Sequence, residues 1–411
     1  MNNYKIDNIV KSNLCVGCGL CACAGYTMDF NKKRGQYIPN LKSMNIDKKL
    51  AWQMCPGKGY DIVNEGSKLF PNQQYSLELG FYNSIRAVHS NSEEVLKNAS
   101  SGGIMTELAL YLLEEKLVDA IVSTNFYYTK QGPRTQTKLV KTKIDMLNSQ
   151  GSKYIPVNMD KLILELKDFN GTVAFIGTPC QVSGIRYLQQ SDESVNRKIR
   201  YVIANFCGGF KDYRNVNGII KKYKLSKSKI SYFRFRGGGQ PGSMAIRETS
   251  GKELKLPYPD YMTETGYQKH KRCKLCVDAT GELADFSCGD LWLTDFLKDE
   301  FPWSVVICRN KESEKIIQDL ITKEKISCKE LMESQVIQSQ KTNITSKKYR
   351  LFSKLKMYKM LFVKVPYIPT GLSKDNPNVM REFKVLLYQK QKLIRYRLGL
   401  YNIRLKFWVK D

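Results

Sequence analysis

Histidine is almost missing from this 411-residue sequence, with only His89 and His270. That speaks against histidine-rich zinc enzymes, and no HExxH pair occurs. No GxxxxGK[ST] phosphate loop is present, which argues against a P-loop nucleotide hydrolase. A GxSxG nucleophile elbow and a repeat with a period of 20–50 residues are also absent. No uncharged apolar run reaches the roughly 18 residues that a spanning helix needs. The opening stretch, MNNYKIDNIV, has no apolar core of a signal peptide. The expected setting is therefore cytoplasmic. Acidic residues are scarce as well, 39 against 66 Lys and Arg, for a net charge of +27.

Cysteine, by contrast, is plentiful. Twelve thiols in a reducing compartment are better read as metal ligands or reactive groups than as disulfides. CVGCGLCACAG spaces Cys15, Cys18 and Cys21 as in a bacterial ferredoxin. The fourth cysteine and proline of such a run are replaced by Gly25 and Tyr26. Two residues could supply the missing ligand. Cys23 would need a tight Cys-x-Cys bite, whereas Cys55 is followed by Pro56, the ending that the run lacks. Cys55 is favoured, since lengthening the intervening loop adds little entropic cost. The spacing favours an iron–sulfur cluster over zinc, which prefers paired CxxC steps.

The middle of the chain alternates strand-like and helical runs. Strands are expected at 85–89, 118–126, 172–176, 199–206, 230–235 and 305–308. Helices are expected at 104–115, 160–168, 179–190, 211–223 and 311–323. This alternation predicts an α/β fold with a mixed, mostly parallel sheet. Runs at 244–249 and 253–258 predict a hairpin. Residues 1–65 would form a ferredoxin-like segment, 80–335 the α/β domain, and 341–411 a basic helical tail.

A second thiol set is dispersed. In IGTPCQVSGIRYL, Pro179 suits the first helical position. Cys180 then sits in the first turn, where the helix dipole favours a thiolate. NFCGGF puts Cys207 at the end of the next strand, beside Cys180 if the two strands are neighbours. RCKLC adds Cys273 and Cys276. Cys288, Cys308 and Cys328 lie in strand-like runs with apolar neighbours and read as buried small hydrophobes. Ser100-Ser-Gly-Gly103 precedes an apolar helix; Ser100 or Ser101 could cap it, and free amides there favour an anion. GSKY offers Lys153 as a further anion contact.

Together these motifs resemble the coenzyme F420 hydrogenase/dehydrogenase beta-subunit family. The resemblance rests on SSGG, GSKY, GTPCQ, FCGG, FRFRGGG and RCKLCVDATGELADFSCGDLW, from about residue 83 to 292. It implies an iron–sulfur flavoprotein with FAD on the α/β domain, FMN being the other candidate. The flavin would exchange hydride with a deazaflavin or another organic substrate. Two 4Fe-4S clusters would carry single electrons, with ferredoxin or another redox protein as partner. Ser101, Gly102 and Gly103 would approach the flavin, with Thr178 at the same turn as GTPCQ. Lys153 and Arg234 would meet phosphate or substrate. Asp290 would lie at the site edge, with Lys153 and Asp290 the catalytic candidates. Cys180, Cys207, Cys273 and Cys276 would hold the second cluster, with Cys288 a competitor. Bacterial relatives are also associated with surface-polysaccharide assembly, implying a sugar- or lipid-linked substrate. The alternative is an electron-transfer subunit without its own substrate.

Over half of the excess charge lies in residues 341–411, with 18 Lys and Arg against 3 Asp and Glu. No RNP or zinc-finger spacing accompanies it, so specific nucleic-acid binding is not expected. In the 379–398 stretch Val379, Phe383, Leu386, Leu387, Leu393, Ile394 and Leu398 roughly share one helical face. Basic residues flank it, and Phe407 and Trp408 follow. Such a helix suits the anionic inner face of a membrane. A helix packed on the domain with a solvated basic face is the equal alternative.

Overall fold

The computed structural model describes residues 5–262, 264–265, 269–368 and 378–398. Its centre is an eight-stranded sheet. In chain order the strands are β1 (Ser84–Ser90), β2 (Ala120–Thr129), β3 (Gly132–Val140), β4 (Val173–Gly177), β5 (Ile199–Asn205), β6 (Phe286–Asp290), β7 (Ser304–Cys308) and β8 (Ile326–Glu330). They lie in the spatial order β8-β1-β7-β6-β5-β4-β2-β3. The four central strands β2, β4, β5 and β6 run parallel. The flanking pairings are antiparallel. The mixed sheet agrees with the expected α/β class, and the antiparallel pairings lie outside its parallel centre.

The residue alternation explains why the central strands are covered on both faces. Ala120, Val122, Val173, Phe175, Val202 and Ala204 enter one apolar cluster. Their neighbours Ile121, Ala174, Tyr201 and Ile203 enter another. Successive side chains point to opposite faces, so an uncharged run such as VAFI needs two partners. Helix α1 (Ile104–Glu114) covers the second face through Ile104, Leu108 and Leu112. Helix α2 (Pro179–Ser191) covers the first through Val182, Ile185 and Leu188.

The N-terminal segment docks on α2. A Cβ at Gly184 would stand 2.2 Å from Leu20 Cδ1 and 2.9 Å from the Met54 carbonyl. Only a residue without a side chain allows this approach, which brings the first cysteines toward Cys180.

Several expectations change. The 230–235 run leaves the main sheet: Ile230–Arg234 joins the predicted hairpin in a separate three-stranded antiparallel sheet. β6 and β8 bear out the strand-like runs around Cys288 and Cys328, whereas β3 was not expected: GPRTQTKLV is polar in composition although most of it is buried at the sheet edge. Neither serine of SSGG caps α1. The cap position is Gly103 at φ +77, a left-handed conformation open to glycine at no steric cost. Ser100 Oγ donates to the Arg236 carbonyl (3.2 Å) and Ser101 Oγ bonds Ser304 Oγ (2.9 Å), so both hydroxyls are committed to tertiary contacts.

In the tail, helix α3 (Leu351–Met360) sends Leu351 and Leu355 into the main core. Helix α4 (Val379–Arg397) packs through buried Glu382, which pairs with Arg350 and Arg381. The tail is thus partly anchored on the domain. Phe407 and Trp408 lie outside the described residues. Among the described residues no helix is long and apolar enough to cross a membrane.

Candidate functional site

A cavity of about 630 Å³ opens at the carboxyl ends of β4 and β5. That is where parallel sheets gather ligands, and the volume suits a cofactor. β4 and β5 are adjacent, so Cys180 on α2 and Cys207 after β5 share its wall. α2 starts as expected, with Pro179 in its first turn and the Thr178 N–H donating to Gln181 Oε1 (2.9 Å). Thr178 Oγ1 lies 3.3 Å from Cys180 Sγ, and the Gly209 N–H donates to Cys207 Sγ (3.3 Å). Donors of this kind stabilise thiolate ligands and tune a cluster's potential.

The structure brings Cys180, Cys207, Cys273 and Cys276 into one electrostatic neighbourhood. Burial, and then Cys207, push the Cys180 thiol up to about 11. Burial likewise raises Cys273. A positive metal centre would reverse both shifts, because it favours the thiolate. Burial opposes the charge on Lys347, and Cys276, Cys207 and Cys273 more than restore it. Cys288 also lines the large cavity, but it is buried on β6 and its thiol neighbour is Cys308.

The first set also converges. Cys15, Cys18, Cys21 and Cys55 act on one another. Burial is the leading cause that lifts each of them, Cys15 to about 12. Cys15, Cys21 and Cys55 pack on the same small apolar cluster. Cys23 packs on the main core, where Lys167 and Asp192 are its charged neighbours. Amides of Gly17, Leu20, Gly57 and Lys58 meet the sulfurs of Cys15, Cys18 and Cys55. Among the described residues no three His, Cys, Asp or Glu side chains converge as single-ion ligands would. Each set nevertheless supplies four thiols, the donor chemistry that a 4Fe-4S cluster takes.

Buried Arg272 joins the two sets. Its Nε donates to the Pro56 carbonyl (2.9 Å) and its Nη1 to the Leu275 carbonyl (3.0 Å). Its charge favours the thiolates of both Cys55 and Cys180. Cys18 of the first set also lines the large cavity.

The remaining wall is cationic and aromatic. Lys153 lies there and donates to the Gln150 carbonyl (3.2 Å) and the Ser149 carbonyl. Burial lowers it to about 7. Among the described residues it has no acidic partner, so an arriving phosphate would meet no competing carboxylate and would favour the protonated amine. Tyr258 and Trp292 stack with centroids 5.5 Å apart and planes 19° apart. Both flank the cavity, as do Ser100, Ser101, Gly103 and Thr178.

Two expected cofactor contacts sit elsewhere. A Cβ at Gly102 would fall 2.4 Å from the Val88 carbonyl oxygen and 2.8 Å from the Ser304 nitrogen. Gly102 therefore packs against the backbone of β1 and β7. Arg234 lies beneath the GGGQPGS loop, beside Gly237 and Gly238. Arg236 takes the cavity wall in its place, because the strand ends at Arg234 and the chain turns.

Arg236 is 2% exposed. It pairs with Asp290, donates to the Ser100 and Pro241 carbonyls, and lies 5.0 Å from the Trp292 ring centroid. Asp290 does line the cavity, with its carboxylate engaged by Arg236. Asp290→Ala would strand a buried guanidinium, with an expected loss of about 3 kcal/mol in urea unfolding. A loss under about 1 kcal/mol would show that the carbonyls suffice for Arg236. Arg236, Tyr258 and Trp292 were not legible as site residues. The FRFRGGG and CGDLW motifs held two of them, but which motif residue faces the cavity depends on the turn geometry.

Comparison with known proteins bears on the same regions. Residues 85–164 match the family model for the coenzyme F420 hydrogenase/dehydrogenase beta subunit N-terminal part. Residues 170–334 match that for its C terminus, and together they cover well over half the chain. The coenzyme F420-dependent sulfite reductase of Methanocaldococcus jannaschii is 24% identical over 349 residues, which is 80% of this chain. The chain spans half of that relative's length. The coenzyme F420 hydrogenase subunit beta of Methanococcus voltae is 27% identical over 255 residues, covering 60% of this chain and 83% of that one. A chain of the F420-reducing [NiFe] hydrogenase complex from Methanosarcina barkeri has the same fold, with TM-score 0.54 and 20% identity over 72% of this chain and 99% of that chain. None of these relatives bears on the expected polysaccharide link. By sequence match, the chain belongs to the coenzyme F420 hydrogenase/dehydrogenase beta-subunit family.

Proposed function

We propose that the chain is an iron–sulfur flavoprotein oxidoreductase working with a separate redox protein, such as a ferredoxin. Its organic partner would be a hydride donor or acceptor of the deazaflavin class, which the relatives' names suggest. The observation that carries this reading is one cavity lined both by thiols and by a buried lysine that has no acidic partner among the described residues. Cys15, Cys18, Cys21 and Cys55 would hold one 4Fe-4S cluster, and Cys180, Cys207, Cys273 and Cys276 a second. The cavity would take FAD, or FMN. When bound, a flavin converts hydride transfer into single-electron transfer.

The protein's own residues hold and orient. Lys153 offers charge to a phosphate, and Gly103 with Ser101 lets backbone come close to it. Tyr258 and Trp292 present a flat apolar wall to a ring system. Asp290 holds Arg236 against that wall. No side chain in the cavity needs to act as a nucleophile, which agrees with the scarcity of histidine.

Anaerobic purification with iron, sulfide and flavin counts tests this directly. About eight irons and one flavin per chain are expected. A colourless protein containing zinc would sink the proposal. The alternative, an electron-transfer subunit without its own substrate, takes support from the likeness to one chain of a multisubunit hydrogenase. Turnover of an organic hydride donor by the isolated chain would exclude it.

Peripheral membrane contact at the inner face is a separate expectation. Leu387 and Ile394 on the basic helix α4, and Leu398 directly after it, are exposed. Vesicles with anionic lipid should therefore cosediment the protein more than neutral vesicles do. Equal recovery with both would leave α4 as a packing helix only.

A further inference from the structure

A second cavity, of about 220 Å³, adjoins the large one, and Gly208, Lys269 and Asn343 line both. Cys273 forms part of its wall, whereas Cys180 and Cys207 face the large cavity. α3 and α4 close it. Those helices fall beyond residue 334, where the family match ends. Most of this cavity's wall therefore belongs to the chain beyond the family match, with Gly208, Lys269, Cys273 and Lys274 contributed by the shared domain.

Its lining is strongly cationic: Lys269, Lys274, Lys347, Arg350 and Lys354 against the single carboxylate of Glu382. Glu382 is already taken by Arg350 and Arg381. The lysines meet neutral oxygens. Lys274 Nζ donates to Gln389 Oε1 (2.6 Å), Lys347 Nζ to the Asp278 carbonyl (2.6 Å), and Lys354 Nζ to Ser346 Oγ (2.8 Å) and to the Ser346 carbonyl. Among the described residues none of these four ammonium groups has an ion-pair partner. Lys347 is 3% exposed and Lys354 8% exposed.

Buried charge without a counterion is costly. Anionic thiolates would offset Lys269 and Lys347, which stand beside Cys207 and Cys273. Glu382, shared with Arg350 and Arg381, offsets Lys354 only in part, and Lys274 meets no carboxylate among the described residues. Burial pulls Lys354 down to about 7 although Glu382 opposes the shift, and the neighbouring cations Arg350, Lys269 and Lys347 add to it.

We propose that this cavity binds an oxyanion of the phosphate class, free or at the end of a larger ligand. Its volume is several times that of one water, which leaves room for a tetrahedral group with several acceptor oxygens. Such a group satisfies multiple donors at once. Lys347 and Lys354 lie inside a cleft instead of on an open face, although Lys269 at its rim is exposed, which favours a small ligand over the surface of an acidic protein.

The test uses the full, anaerobically purified protein in phosphate-free buffer at fixed ionic strength. Inorganic phosphate should raise Tm and give a saturable calorimetric signal. Lys354→Met should weaken binding by about tenfold or more, the value of one charge-assisted hydrogen bond. Gln389→Glu places a carboxylate beside Lys274. It should raise Tm without phosphate and abolish the phosphate-induced rise. This second variant keeps the test valid if Lys354→Met folds poorly. A nucleoside monophosphate binding more tightly than phosphate would assign the larger ligand, and the reverse order the free ion. Absence of any phosphate response in the unmutated protein would overturn the proposal. So would an undiminished response in Gln389→Glu, since that would place the anion elsewhere, for example at Lys153.

Discussion

Cys180→Ala is expected to lower the iron content from about eight to about four per chain, with the flavin retained. Cys180 occupies the first turn of α2, backed by Thr178, and it shares a wall with Cys207. Removing one thiolate of four leaves a cluster open to solvent from the cavity and to loss of its iron. The effect should stay local, because the fold at this point is carried by Val182, Ile185 and Leu188 in the core. The first set supplies the internal control. Cys55→Ala should also lose about four irons, while Cys23→Ala should lose none, since Cys23 faces Lys167 and Asp192. Full iron in Cys180→Ala, or equal loss in Cys23→Ala and Cys55→Ala, would refute the ligand sets.

The second large effect concerns Lys153. Lys153→Met should raise the flavin dissociation constant by about ten- to a hundredfold, the range for hydrogen bonds to a charged group. The same residue gives a pH signature. Burial lowers Lys153 in the folded protein to about 7, well below its ordinary value of 10.5. Between those values the unfolded chain carries a proton that the folded chain lacks. The cofactor-free protein therefore gains stability as pH rises from about 7 toward the ordinary lysine range, and below about 7 the burial penalty is present in full. A phosphate favours the charged lysine, so cofactor binding near pH 8 should take up about one proton. Calorimetry in buffers of different ionisation enthalpy measures that uptake. Identical uptake in Lys153→Met would assign the proton to another group.

Much of the site was legible because it is local. CVGCGLC states its spacing within seven residues, and TPCQ states a helix start within four. Cys55 was singled out by its following proline. Other features needed the fold. Ser101 looked like a helix cap, but Ser304 comes within hydrogen-bonding distance from β7 and Gly103 takes the cap position. Arg234 and Arg236 are chemically alike in FRFRGGG. Their different places follow from where the strand ends and from Asp290 reaching Arg236 across 54 residues of chain.

From the sequence alone came the α/β class, the two thiol sets and the cationic tail, because hydrophobic period, cysteine spacing and charge are properties of neighbouring residues. The tertiary structure alone decided that Arg272 lies between the two sets, that Tyr258 stacks on Trp292, and that α3 and α4 close a second cationic cavity over Cys273. Those contacts join residues far apart in the chain. Their strength depends on burial and orientation, which exist only once the sheet has paired and the helices have packed on it.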